Sequence, residues 1–450
     1  MKKYWFTFVA AALLGNVTLA QEKDTLRLTL TEAIDYAVKN NPQLKSVQLD
    51  ETNNQFKIKE IKSSALPQIT GTAGGTDNFQ RGAQLLPGEI MGQPGTTIPV
   101  KFGTRFVYNG NVQLSQNIYN PSITTGLKAA KESQGLYELQ TFQSKEDLIY
   151  NMAKLYVQIQ LAEKQKELYA GNIDRTEKLL DITSLQLKEG IIKKVDVEQL
   201  KVNLTNMRTQ LSNVENDYEK TIDNIKLLMN LDMEQPIVIT APRGSEKVAV
   251  SKQLNLDANT DLNILDKQIQ LQNLNTENIR AGYKPTLSFS ANFGRQWQTE
   301  KLFKSNAATG ISSGYYSLNL SIPIFDGSKK RNQIAQSNTA LKQLELTKEY
   351  TAKQIQTQFR TANNNLNQNQ KVFEAQTQNM QLAEDLYNVA KLSYTEGVSD
   401  LAELINAENS LREAQSQYLT AMLQTNLAEL ETMKASGQLS QLIKEFSINH

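Results

Sequence analysis

The side chains that carry most covalent and acid–base chemistry are almost missing from this chain. Cysteine is absent, and the single histidine is His450 in a sequence of 450 residues. Thiolate nucleophiles, disulfides, Cys-based zinc sites, lipid attachment through an N-terminal cysteine, Ser-His-Asp triads and histidine-rich metal sites are therefore excluded from any folded interior. What remains is 47 Asp and Glu scattered among 48 Lys and Arg, with no clustered ligands. No catalytic residue, metal site or cofactor is expected. The charges also form no basic block of the kind that grips nucleic acid.

The elements that must position the remaining polar groups are long and thin. With 39% hydrophobic and 21% charged residues, the chain is too polar for several thick cores. It is also too rich in periodic Leu, Ile, Val and Tyr to be disordered. Residues 1–20 read as an export signal: Lys2 and Lys3, an apolar run from Tyr4 to Leu14, then Thr18-Leu19-Ala20 where a signal peptidase reads small residues. A membrane anchor would need about 20 apolar residues, and this run is shorter. Cleavage before Gln21 removes both lysines and turns a net charge of +1 into −1. Nothing later approaches a transmembrane helix, so a mature protein that enters a membrane must do so as a closed β-barrel.

Two halves of the sequence repeat. Val112 to Ser122 aligns with Leu318 to Ser328, Leu187 to Gly190 with Tyr394 to Gly397, and Ala65-Leu66-Pro67 with Tyr283-Lys284-Pro285. Each half reads helix, strand, loop, strand, very long helix, Gly turn, long helix. The repeats occupy 21–231 and 257–436, joined by a linker over 232–256 and followed by a tail over 437–450. The strands alternate. Leu287, Phe289, Ala291 and Phe293 oppose Thr286, Ser288, Ser290 and Asn292, and from Tyr316 onward Leu318, Leu320, Ile322 and Ile324 oppose Ser317, Asn319 and Ser321. A weaker first-half pair covers Gln68 to Phe79 and Arg105 to Tyr119. Arg81 to Gly103, rich in Pro and Gly, reads as a surface loop, and Trp297 sits at the far end of its strand. Such a pattern fits a soluble sandwich or a barrel with lipid outside and water inside.

Heptads dominate the helices. Phe359, Leu366, Phe373, Met380, Tyr387 and Tyr394 recur every seven residues, as do Ala407, Ala414, Ala421, Ala428 and Ala435. In the first half, Val197, Leu204, Leu211, Tyr218 and Ile225 pair with Leu200, Met207, Val214, Thr221 and Leu228 in the same register. The run from Ser122 to Lys188, if unbroken, spans about 100 Å at 1.5 Å per residue. Periodicity alone leaves open a fibrous coiled coil with no channel. The four amphipathic strands favour a channel, and because bacterial barrels begin at about eight strands, several chains would have to share one.

These residues resemble the TolC-like outer-membrane efflux and secretion channels over essentially the whole mature chain. The similarity is carried by the opening from Leu28 to Pro42, the strand entries at Pro67 and Pro285, and the strand exit at Ile324 to Gly327. It is most specific at the turns Glu189 to Val197 and Glu396 to Leu404, followed by Asn406 to Leu411. The resemblance implies a mixed α and β homotrimer with four strands per chain in a shared twelve-stranded transmembrane barrel. Long antiparallel coiled-coil helices would form an α-barrel through the periplasm. It further implies an outer-membrane exit duct, embedded in outer-membrane lipid, for a tripartite efflux pump with a periplasmic adaptor and an inner-membrane pump. A type I protein secretion duct is the neighbouring reading, and a periplasmic structural coiled coil the one from another class.

At the tips the resemblance places Glu403 and Asn406 on the closed periplasmic aperture, with Asp196 and Gln199 as first-half counterparts. It places Gly190, Ile191, Gly397 and Val398 at the adaptor-contacting turns. Asn406 stands where a carboxylate is common, which weakens the implied cation-binding ring. Ser399 replaces an arginine that would lock the tip to Asp196, leaving Lys193 or Lys194 with Asp400 as the expected lock. Glu408 is expected to contribute little to selectivity.

Overall fold

A computed structural model describes residues 25–240, 253–302 and 309–439. The export signal at 1–20 lies outside them, as do part of the linker and most of the C-terminal tail. The chain divides into two compact units, each drawing on both repeats: one takes in the chain to Pro42, Glu146–Gln253 and the chain from Phe359, the other Gln43–Lys145 and Leu254–Gln358.

The second unit is built around one antiparallel sheet. Its strands are β2 (Gln68–Asp77), β5 (Phe106–Tyr119), β7 (Thr286–Thr299) and β8 (Thr309–Ser321), hydrogen-bonded in the order β2-β5-β7-β8. β5 and β7, one from each repeat, form the centre, while β2 and β8 are edges with no partner strand among the described residues. β8 begins seven residues before Tyr316, where alternation first becomes legible. Gly310, Ser312, Ser313 and Gly314 dilute the pattern, but the β7 ladder continues through Gln298 and Thr309. Ile322 and Ile324 fall beyond its end. The expected loop at Arg81 to Gly103 instead contains a hairpin of β3 (Ala83–Pro87) and β4 (Thr97–Lys101). Pro87 and Pro99 are compatible with it because a two-stranded ribbon consists only of edges, where a missing N–H breaks no central ladder.

Helices attach to the sheet at one end only. α2 (Pro42–Ser63) and α5 (Thr260–Ala281) run into β2 and β7 through Pro67 and Pro285, which cannot continue a helix. β5 and β8 run out into α3 (Pro121–Lys188) and α6 (Lys329–Thr395). Polar pins join them: Asn54 Nδ2 donates to the Ala130 carbonyl at 3.2 Å, and Gln272 Nε2 to that of Ser337 at 2.9 Å.

In the first unit, β1 (Leu26–Thr29) pairs in parallel with β6 (Ile237–Thr240), so a strand lies within the segment expected as linker. α1 (Leu30–Asn40) starts with a capping box, Thr29 N–H donating to Glu32 Oε2 at 2.8 Å and Glu32 N–H to Thr29 Oγ1 at 3.3 Å. The long helices return as α4 (Lys194–Met229) and α7 (Leu401–Ser436), each 36 residues.

The heptad lines face inward. Leu366 and Ala383 of α6 and Leu411, Ala414, Ala421 and Ala428 of α7 are buried, and the rings of Phe373 and Tyr418 lie 5.4 Å apart. In α4 the register holds through Val197, Leu200, Leu204 and Met207 and again at Ile225, but Ile222 and Met229 are buried in place of the expected Thr221 and Leu228. There α4 meets α1, whose following Asn41 donates to the Leu228 carbonyl at 2.8 Å. Ordinary helix packing at 3.6 residues per turn replaces the two-helix seam at that point.

Candidate functional site

The strand pairing sorts the sheet into two unlike faces. Residues paired across the ladders point to the same side, so Ile69, Val112, Leu114, Phe289, Ala291, Phe293, Tyr316, Leu318 and Leu320 share one face. Several of these, including Phe293, Tyr316 and Leu318, are exposed. Thr70, Thr72, Asn111, Gln113, Ser115, Ser288, Ser290, Ser317 and Asn319 share the other. There Ser290 and Ser317 hydroxyls meet at 2.7 Å, and Asn319 Nδ2 donates to Ser317 Oγ at 3.3 Å. A contiguous exposed apolar sheet face marks a surface that something apolar must cover. No described helix is long and apolar enough to cross a membrane.

At the other candidate site, both Gly turns close the long helices in the same way. Gly190 (φ +75°) and Gly397 (φ +70°) are left-handed, a conformation that glycine adopts without a Cβ penalty. Ile191 N–H donates to the Gln186 carbonyl at 2.9 Å and Val398 N–H to that of Ser393 at 2.9 Å, with Gly190 and Gly397 bonding to Leu187 and Tyr394 at 3.1 Å. This is the Schellman pattern, in which the residue after glycine usually folds back onto its helix. Here Ile191 and Val398 are 69% and 81% exposed.

Beside the turns one apolar cluster gathers all four helix ends: Leu179 of α3, Leu200 of α4, Tyr387, Ala390 and Tyr394 of α6, and Leu401, Leu404 and Ile405 of α7. Tyr394 Oη donates to Gln186 Oε1 at 2.7 Å. Burial pushes its phenol up, and the nearby Asp196 carboxylate adds to the shift. Asp196 is half-buried in the first turn of α4, and Gln199 is exposed one turn on. Glu403 and Asn406 are exposed at the equivalent positions of α7. Among the described residues no ion pair joins Lys193 or Lys194 to Asp400. Asp400 is the N-cap of α7, accepting from Glu403 N–H at 2.9 Å. Its carboxylate complements the helix start.

Deeper in the bundle lies a polar cluster. Glu408 is buried and accepts from Thr176 Oγ1 at 2.7 Å, while Asn172 Nδ2 donates to Gln415 Oε1 at 3.1 Å. Arg175 lies 5.6 Å from the Tyr387 ring. Burial pushes the Tyr387 phenol up, with the Glu408 charge adding and Arg175 opposing. Glu408 and Gln415 are seven residues apart, and Asn172 and Thr176 four. That spacing stacks each pair on one helix face, but in a polar sequence it reads as surface until the packing is seen.

Comparison with known proteins accounts for this arrangement. The outer membrane efflux protein family matches residues 33–231 and 253–438, one block for each repeat. The chain is 21% identical over 454 residues to outer membrane protein TolC of Salmonella enteritidis, covering 98% of this chain and 87% of that protein. It is 22% identical over 416 residues to the probable efflux pump outer membrane protein SepC of Pseudomonas putida, covering 91% and 83%. The Campylobacter jejuni CmeC outer membrane channel shares the fold with a TM-score of 0.72 at 17% identity, covering 93% of this chain and 89% of that one. Fold and sequence together define a TolC-like outer-membrane channel protein. The chain belongs to the outer membrane efflux protein family, and its place is the outer membrane.

Proposed function

We infer that three copies of the chain pool their sheets into one twelve-stranded barrel and serve as the passive exit duct of a tripartite efflux pump. The observation that carries this reading is the sheet itself: one exposed apolar face, one small polar face, two edges unpartnered among the described residues, and α2, α3, α5 and α6 all joined at one end. Closure of three sheets edge to edge satisfies the ladder groups of β2 and β8, as a membrane requires. The polar face then lines a water-filled pore.

The helices extend that pore into the periplasm. A periplasmic adaptor grips the turns at Gly190-Ile191 and Gly397-Val398, whose exposed apolar side chains offer it contact. An inner-membrane pump supplies the energy. Glu403, Asn406, Asp196 and Gln199 line the periplasmic aperture, a role supported by the exposure of Gln199, Glu403 and Asn406 in the first two turns of α4 and α7.

The cysteine-free sequence makes the test direct. Single substitutions Phe293→Cys and Leu318→Cys on one face, and Ser290→Cys and Asn319→Cys on the other, are treated with a water-soluble thiol reagent in whole membranes. Labelling restricted to Ser290→Cys and Asn319→Cys is expected; equal labelling of both faces sinks the barrel.

A further inference from the structure

One cation interrupts the apolar face of the sheet. The register puts Arg295 in line with Phe289, Phe293 and Trp297 of β7, near the end of the sheet remote from the helices. Its row across the sheet is Ala73, Gly110 and Ser312, all small. The guanidinium lies 5.4 Å from the Trp297 ring centroid, over Gly310. A Cβ on Gly310 would come within 2.9 Å of Nη2 and 3.0 Å of Nε, so a side chain there would push the guanidinium aside.

The charges nearby are already matched. Asp77 pairs with Arg105 at 2.9 Å and Glu300 with Arg81 at 2.8 Å. Among the described residues no ion pair holds Arg295. Beside it runs a shallow furrow of about 440 Å³ in which Gly71, Ala73 and Gly110 lie next to the larger Val112 and Phe293. An arginine toward lipid is tolerated where its head can reach the interface, and its planar fork suits the oxygens of a phosphate. The furrow is open and mostly apolar, crossing β2, β5 and β7, which suits one hydrocarbon chain.

We propose that Arg295, seated over Gly310 against Trp297, binds the phosphate of a phosphorylated glycolipid of the external leaflet, one of whose acyl chains lies in the adjoining furrow. The proposal rests on the barrel reading above, which puts this face against lipid and the loop-bearing end of the sheet outside.

The test uses the full mature protein purified in detergent, with hexa-acyl lipid A as the probe. Native mass spectrometry counts bound lipid for the parent, Arg295→Gln and Gly310→Ala, each with lipid A and with its dephosphorylated form. The parent should prefer the phosphorylated form, and Arg295→Gln should bind it about tenfold more weakly, as expected for loss of a hydrogen bond to a charged group. Gly310→Ala, which keeps the charge but fills its seat, should fall between them. Equal binding by Arg295→Gln and the parent overturns the proposal, as does a parent indifferent to phosphate. If thermal melting shows Arg295→Gln misfolded, Gly310→Ala decides, and unchanged binding there is fatal. Thiol labelling separates the two levels: a water-labelled Phe293→Cys removes the barrel and this site together, whereas a lipid-shielded one with unchanged Arg295→Gln binding removes this site alone.

Discussion

The Thr176 hydroxyl lies 2.7 Å from the buried Glu408 carboxylate and 2.9 Å from the Asn172 carbonyl of its own helix, so Thr176→Val, which keeps the shape, removes the donor that Glu408 shares. A buried acceptor left short of a donor costs about 1–3 kcal/mol, and urea unfolding in detergent should show a loss in that range. An unchanged midpoint would mean that water replaces the hydroxyl. At the tip a different logic applies, because threefold assembly turns Glu403 into a ring of three carboxylates. Glu403→Gln should reduce cation preference, read as a smaller reversal potential in a salt gradient across a planar bilayer. A parent-like reversal potential would place the constriction elsewhere. Glu403 is visible in the sequence because it follows a Gly turn at a repeated offset. Glu408 reads there as one more helix-surface charge until its packing against α3 is seen.

At the scale of elements, the alanine stripe of α7 sets how closely the helices approach. Ala421 and Ala428 are 5% and 4% exposed, so Ala421→Leu adds volume where none is free. Overpacking of this kind costs about 1–3 kcal/mol. A thermal melt in detergent should show earlier loss of helical signal, and a parent-like melt would put the stripe on a free face. The heptads were legible because a seven-residue repeat survives any polar dilution between its positions. The β3-β4 hairpin was not, since Pro and Gly at five-residue strands mark turns and ribbons alike. Nor could periodicity announce the slip at Ile222, which follows from α1, an element distant in sequence, packing on the end of α4.

For the molecule as a whole, the faces of the sheet make opposite predictions for one substitution. Phe289→Arg should cost about 2–4 kcal/mol if it lies at the midplane against lipid, whereas Ser290→Arg should leave folding intact and lower conductance. Differential scanning in detergent and bilayer recording read the two arms, and equal destabilisation would contradict the assignment of faces. That each repeat contributes two strands was visible in the alternation. Their order was not, because pairing between repeats leaves no local trace. Yet β5 and β7 are neighbours, Tyr119 opposite Leu287 and Phe106 opposite Thr299. The ladder at the centre of the sheet thus closes a loop of roughly 170 residues or more, the kind of distant contact that forms late. A chain threaded outward from its N-terminus has β2 and β5 in the periplasm long before β7 emerges. During that interval β2 and β5 can pair with each other while the other edge of β5 stays open, and a chain stopped after α4 would never acquire the central pair.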